Sequence, residues 1–175
     1  MEWVNGWPRL LGAPLEAVMQ LGTLGGALVV LAAVAVATIR TRPLAIVAVG
    51  LAVVTGWKVD NLLKAVVDRP RPPAVVSTLT VRDHADGSAY PSGHTTLAVA
   101  VAVAVLPLLP HRWRPVAIGL AVAVAVARMY VGVHWPTDLV GGAALGTLLA
   151  GLSWALVDLA APKGPDDADY GPDHP

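Results

Sequence analysis

Residues 115–138 read PVAIGLAVAVAVARMYVGVHWPTD, an apolar run that carries no charge until Arg128. Residues 115–133 are long enough to cross the hydrocarbon core of a bilayer as a helix, so the stretch predicts a transmembrane span with polar chemistry at its end. If the chain is helical near His134, Asp138 shares its face one turn away. A carboxylate there would fix the imidazole tautomer of a nucleophile or base, and the arginine would bind an anion.

The chain of 175 residues is 55% hydrophobic and only 14% charged. This composition is too apolar for an ordinary soluble domain, and the length allows one compact unit, so we expect a membrane protein. The formal net charge is zero, which gives no electrostatic reason to expect a nucleic-acid partner. Because the chain has no cysteine, disulfides and thiolate chemistry are excluded.

Apolar runs separated by charged breaks predict an all-α fold, an integral membrane helical bundle with five transmembrane helices. The predicted spans are 17–39, 44–67, 95–110, 115–133 and 139–157. Gly142 and Gly146 have the spacing that lets two helices pack closely in lipid. Tryptophans among short apolar patches favour an interfacial position for residues 1–16, with a partly disordered tail as the alternative. The membrane-embedded domain is expected at 17–160, followed by a polar, disordered tail at 161–175.

Basic residues near the span ends predict the orientation in the membrane. With five alternating spans, the residues on the side that the positive-inside rule makes cytoplasmic are Arg40, Arg42, Arg112, Arg114 and Lys163. The polar connection at 68–93 and the 128–138 stretch then face outward. Basic residues that lie on this outer side against the rule are Lys64, Arg69, Arg71 and Arg82. An anionic substrate would explain their presence there.

Three polar clusters converge on the predicted outer side. They are Lys64 with Arg71-Pro72, then Pro91-Ser92-Gly93-His94, then Arg128 with His134 and Asp138. The second cluster begins an apolar run, where free backbone N–H groups at a helix start can hold an anion. A lysine and two arginines add positive charge that can neutralise several phosphate oxygens.

In this order, K-x6-RP at 64–72, PSGH at 91–94 and R-x5-H-x3-D at 128–138 resemble the three signature motifs of the type 2 phosphatidic acid phosphatase family. That family shares a superfamily with the vanadium haloperoxidases. Its third motif usually begins Ser-Arg, whereas this chain has alanine before the arginine. Many bacterial members have a further N-terminal span that this sequence lacks, so a natural five-span form and a trimmed start are both open.

The resemblance implies a role for each matching residue. His134 would attack phosphorus and become a transient phosphohistidine, with Asp138 hydrogen-bonded to its other ring nitrogen. His94 would protonate the leaving oxygen and later help to activate water. The groups that would hold the phosphate oxygens are Lys64, Arg71, Ser92, the Gly93 N–H and Arg128. No metal or other cofactor is expected, because enzymes of this family need none.

The resemblance also implies an enzyme, a metal-independent lipid phosphate phosphatase in a bacterial cytoplasmic membrane with its active site facing outward. The candidate substrates are phosphatidic acid, phosphatidylglycerol phosphate and polyprenyl pyrophosphate, and the sequence does not choose among them. The expected partners are this substrate and membrane lipids, without nucleic acid, and the oligomeric state is open. The alternatives are a phosphotransferase that uses the same phosphohistidine and a catalytically silent lipid-binding or transport protein.

Four charged residues near the motifs are left out of the predicted site. Asp68 has the spacing to pair with Lys64 one turn earlier, and Arg69 beside it has no assigned role. Asp83 and Asp86 flank a histidine in the polar connection, where a solvated loop is a better interpretation than a metal site.

Overall fold

The structure is a computed structural model that describes residues 1–161. The described residues are all-helical, without a strand, which confirms the predicted fold class for this part of the chain. The helices are α1 (Glu2–Asn5), α2 (Gly12–Met19), α3 (Leu24–Thr38), α4 (Pro43–Val67), α5 (Gly93–Val105), α6 (Arg114–Tyr130) and α7 (Pro136–Ala160). Apart from Ala161, the predicted polar tail lies outside the described residues.

Three helices, α4, α6 and α7, are long and apolar enough to cross a membrane. A fourth span results if the bent pair 9–22 and 24–38 is counted as one. Helix α5 and the turn that follows it, 93–108, are apolar but shorter. The described residues therefore contain three to four candidate spans, where the sequence predicts five.

The continuous helix predicted over 17–39 is instead two helices bent by 65°. Thr23 lies at the break in an extended conformation, with φ −83° and ψ 160°. Its Oγ1 accepts a hydrogen bond from the Gly26 N–H at 3.0 Å and so caps the start of α3. The apolar run hides this break from sequence analysis, because capping by one threonine leaves the hydrophobic pattern unchanged.

Helix α5 lies at the centre of the bundle and packs against α4, α6 and α7. A Cβ on Gly142 would lie 2.8 Å from the Ser92 carbonyl oxygen, and one on Gly146 would lie 2.5 Å from the Thr96 carbonyl oxygen. Only glycine permits α7 to approach α5 this closely, which confirms the packing predicted from the glycine spacing. Fully buried alanines allow the same close approach elsewhere in the core: Ala27, Ala52, Ala100, Ala104 and Ala150.

The starts of α5 and α7 and the ends of α4 and α6 meet at one end of the bundle. At the opposite end, Arg42 lies beside residues 107–110. The N-terminal residues fold onto the end where α5 and α7 start. Asn5 is 4% exposed, and its Nδ2 donates to the carbonyls of Thr80 and Tyr130 at 2.9 Å each. The N-terminal segment thus braces the connection that follows α4 against the end of α6.

Candidate active site

The connection between α4 and α5 folds back over one end of the bundle, and Arg71 holds it there. Arg71 Nε donates to the Gly87 carbonyl at 3.1 Å, and Nη1 donates to the Val133 carbonyl at 3.0 Å. Its Nη2 donates to the carbonyls of Asp86 and Ser88 at 2.8 and 3.1 Å. The arginine that the sequence predicts to bind phosphate therefore also closes the connection over the site.

These elements enclose a cavity of about 370 Å³. Six of the eight predicted site residues line it: Lys64, Arg71, Gly93, His94, Arg128 and His134. The other two, Ser92 and Asp138, are fully buried and do not line it. The Ser92 hydroxyl accepts a hydrogen bond from Thr95 Oγ1 at 3.1 Å. The Ser92 backbone N–H donates to the Asp138 carbonyl at 3.1 Å, and this bond joins the second motif to the third.

The hydrogen bonds of His134 fix its tautomer. Its Nδ1 lies 2.8 Å from the Ala89 carbonyl oxygen. Because a carbonyl oxygen can only accept, Nδ1 carries the proton and Nε2 keeps its lone pair. Arg71 Nη1, which can only donate, lies 3.4 Å from Nε2 and agrees with this assignment. His134 thus lines the cavity with an unprotonated ring nitrogen.

The predicted hydrogen bond between Asp138 and His134 is wrong, because the Ala89 carbonyl takes its place. Asp138 Oδ2 lies 3.6 Å from His134 Nδ1 and accepts instead from the Trp135 N–H at 2.8 Å. The reason is helix capping, since Asp138 is in the first turn of α7 and its carboxylate is drawn to the free N–H groups there. The carboxylate remains close enough to interact with positive charge on the ring.

Lys64 pairs with a carboxylate other than the predicted Asp68. Its Nζ lies 2.7 Å from Oδ2 of Asp60, one turn earlier in α4. Asp68 cannot serve because it ends the helix in the left-handed conformation, with φ +42°. A Cβ on Gly93 would lie 2.7 Å from this Asp60 oxygen and 2.9 Å from Lys64 Nζ. Glycine at that position therefore lets the ion pair reach the start of α5.

Arg128 is 2% exposed and lines the same cavity as Lys64. Its Nη1 donates to Asp83 Oδ2 at 2.6 Å. Its Nε has no hydrogen-bond partner within residues 1–161. A buried donor without a partner costs free energy.

Burial sets the protonation of the nucleophile candidate. It lowers the pKa of His134 to about 4, with Asp138 acting in the opposite direction and the charges of Arg128 and Arg71 lowering it further. Burial also lowers the pKa of Arg71, and the charge of Arg128 acts in the same direction. At neutral pH the cavity therefore combines a neutral imidazole with two cations that repel each other.

Three charged residues that the sequence did not assign to the site contact it. Arg69 Nη1 donates to Asp138 Oδ1 and to Thr137 Oγ1, both at 2.7 Å. Arg69 lies on the predicted outer side against the positive-inside rule, and this is the sequence signal that points to it. Asp60 has the spacing of a helical ion pair with Lys64, whereas Asp83 meets Arg128 across 45 positions and has no local signal.

The fold and the cavity define a helical membrane protein with a cationic pocket at one end of its bundle. Residues 42–161 match the PAP2 superfamily, and the chain belongs to that family. This confirms the resemblance to the type 2 phosphatidic acid phosphatases.

Relatives and solved structures agree with this assignment. The chain is 33% identical over 114 residues to lipid A 1-phosphatase of Rhizobium etli, and 30% identical over 116 residues to undecaprenyl-diphosphatase BcrC of Bacillus subtilis. These matches cover 61% and 65% of this chain and 49% and 58% of the relatives, so the chain spans about half their length. The crystal structure of Aquifex aeolicus LpxE superposes with a TM-score of 0.76 at 22% identity, covering 86% of this chain and 89% of that one. This likeness supports the fold.

Proposed function

We propose that this protein is a membrane lipid phosphate phosphatase that works through a phosphohistidine intermediate. One observation carries the proposal: the Ala89 carbonyl holds the proton of His134 on Nδ1, at 2.8 Å. Nε2 is therefore unprotonated, with Arg71 Nη1 at 3.4 Å, in a cavity that is also lined by a lysine and two arginines. A silent lipid-binding protein would need these cations, but it would not need a histidine held in its nucleophilic tautomer.

In the first step the Nε2 lone pair of His134 attacks phosphorus. The P–N bond forms while the P–O bond to the lipid breaks, and the electron pair of that bond moves to the lipid oxygen. His94 donates its proton to this oxygen, and the lipid leaves. In the second step His94 takes a proton from water, whose oxygen attacks phosphorus. The P–N bond then breaks, its electron pair returns to Nε2, and phosphate is released.

The charge that develops in these steps is met by groups already in the site. Lys64, Arg71 and Arg128 neutralise the phosphate oxygens, and the Gly93 N–H at the start of α5 adds a donor. Buried Ser92 supports this turn. Asp138, 3.6 Å from His134 Nδ1, faces the positive charge of the phosphorylated ring. We propose that catalysis needs no metal, because these side chains supply the positive charge that a metal would provide.

We further propose that α3 to α7 cross the bilayer as five spans, with residues 17–160 as the catalytic domain and 1–16 in the interface. The placement of Arg42 at the end opposite the cavity supports this, because basic residues mark the cytoplasmic side. The cavity would then face outward from a bacterial cytoplasmic membrane. A substrate could keep its tail in lipid while its headgroup reaches His134.

The names of the relatives support a phosphorylated lipid as the substrate class. Their names describe a lipid A 1-phosphatase, an undecaprenyl-diphosphatase and a phosphatidylglycerophosphatase. All three substrates carry a phosphate that is bonded to a large apolar anchor. We therefore propose a lipid phosphate monoester or pyrophosphate as the substrate, in keeping with a cavity that binds phosphate beside the membrane.

The test is a phosphate-release assay on purified protein in detergent micelles, with phosphatidic acid, phosphatidylglycerol phosphate, undecaprenyl pyrophosphate and lipid A. We expect turnover of at least one lipid, no turnover by His134→Ala, inhibition by vanadate, and no effect of EDTA. His111→Ala, at an exposed histidine outside the cavity, is the matched control and should keep wild-type activity. Activity in His134→Ala that equals the wild type would overturn the proposal, as would transfer of the phosphoryl group to an added lipid alcohol in preference to water.

A further inference from the structure

Arg69 lies next to the first motif, and its guanidinium reaches the third. Its Nη1 donates to Asp138 Oδ1 at 2.7 Å, and to Thr137 Oγ1 at the same distance. The other carboxylate oxygen of Asp138 accepts from the Trp135 N–H. A fully buried carboxylate is stable as an anion only when its charge is paired and its lone pairs are used. In this site, Arg69 supplies the positive charge.

The backbone of Arg69 holds the group that orients the nucleophile. The Arg69 carbonyl accepts from the Ala89 N–H at 2.8 Å, and the Arg69 N–H donates to Ser88 Oγ at 3.0 Å. Ala89 is the residue whose carbonyl fixes the tautomer of His134. Arg69 therefore contacts both groups that flank the His134 ring. Its backbone is hydrogen-bonded to Ser88 and Ala89, and its side chain is hydrogen-bonded to Asp138.

A third contact joins the connection after α4 to the start of α7 beside Arg69. Trp135 Nε1 donates to the Pro70 carbonyl at 3.1 Å, and the Arg69 guanidinium lies 5.8 Å from the centre of the Trp135 ring. Arg69 is not one of the residues that line the cavity. Its side chain meets the motif residues at Asp138, in the first turn of α7.

We propose that Arg69 is a positioning residue for the phosphoryl-transfer reaction, whose guanidinium holds Asp138 where its carboxylate faces His134. This rests on the proposed phosphohistidine function. Without Arg69, the buried carboxylate loses its charge partner and is no longer held in place. The phosphorylated ring then loses the negative charge beside it, while the cations that bind the substrate stay in place.

The test is steady-state kinetics on the lipid that the wild-type protein turns over fastest. We expect Arg69→Gln to lower kcat about 10- to 100-fold and to change KM less than about twofold. Arg69→Lys should recover part of kcat, because it keeps the charge. In an Asp138→Asn background, Arg69→Gln should lower kcat less than about threefold, because the carboxylate on which Arg69 acts is gone.

Arg82→Gln is the matched control. Arg82 belongs to the same connection, donates to the Tyr130 carbonyl at 2.8 Å and does not line the cavity. It should keep the wild-type kcat. If Arg69→Gln does not give a monodisperse protein, Arg69→Lys with and without Asp138→Asn provides the same comparison.

Two results would overturn the proposal: an unchanged kcat in Arg69→Gln, with or without a raised KM, or an about 10- to 100-fold loss of kcat from Arg69→Gln that persists in the Asp138→Asn background. Each is distinct from failure of the proposed function, for which the wild type itself would release no phosphate.

Discussion

At the scale of single residues, the proposed mechanism makes the site reactive only while His134 is unprotonated. Burial lowers its pKa from 6.5 to about 4, so the ring is neutral and nucleophilic above about pH 4 and protonated below it. The sign follows from the lone pair, which a proton on Nε2 would remove. A histidine with its ordinary pKa would already be half protonated at 6.5.

We therefore expect formation of the phosphoenzyme to stay constant from about pH 7 to pH 5 and to fall by half near pH 4. The measurement is rapid-quench trapping with a soluble aryl phosphate, because a good leaving group removes the need for protonation by His94. His111→Gln should leave the profile unchanged, since that histidine is exposed and outside the cavity. A midpoint near 6.5 would contradict the pKa assigned to His134.

At the scale of elements, the connection between α4 and α5 brings a carboxylate to the arginine of the third motif. Asp83 Oδ2 accepts from Arg128 Nη1 at 2.6 Å, inside the cavity where a phosphate oxygen would bind. A bound phosphate must therefore displace Asp83 or share the guanidinium with it. Because the aspartate is about one-third exposed, the ion pair contributes roughly 1 kcal/mol or less.

We expect Asp83→Asn to strengthen vanadate inhibition about two- to fivefold, which is the factor that such an energy allows. Vanadate titration of phosphate release measures it. Asp86→Asn is the matched control, because Asp86 lines the same cavity and its carbonyl, rather than its carboxylate, holds Arg71. Weaker inhibition in Asp83→Asn would mean that the aspartate positions Arg128 instead of competing with the anion.

The same elements indicate how far sequence analysis reaches. The motif residues were found because each motif is short: 64–72 spans the end of α4, 91–94 the start of α5, and 128–138 the turn from α6 to α7. Residues so near in sequence stay near one another in space. Sequence analysis predicted one helix over 17–39, since a cap formed by Thr23 does not alter an apolar pattern. It could not find the contact of Asp83 with Arg128, which depends on how a long connection folds back. The hydrogen bond between His134 and the Ala89 carbonyl could not be predicted either, because a backbone acceptor has no sequence signature.

At the scale of the whole molecule, charge is distributed unevenly between the two ends of the bundle. Arg42 lies at the end opposite the cavity, beside residues 107–110. At the cavity end, Lys64, Arg69 and Arg128 are each paired with an aspartate, and Arg71 and Arg82 are hydrogen-bonded to backbone carbonyls. We attribute these basic residues to the proposed site and its support, and we apply the positive-inside rule to the opposite end. The proposed outward orientation of the cavity follows from this difference.

Because the chain contains no cysteine, one introduced cysteine reports the topology without background. Ser77 is exposed in the connection over the cavity, and Thr41 is exposed at the opposite end. On intact cells, a membrane-impermeant maleimide should label Ser77→Cys and should label Thr41→Cys only after the membrane is permeabilised. The reverse pattern would place the cavity on the cytoplasmic side, and a lipid phosphate would then have to reach His134 from the inner leaflet.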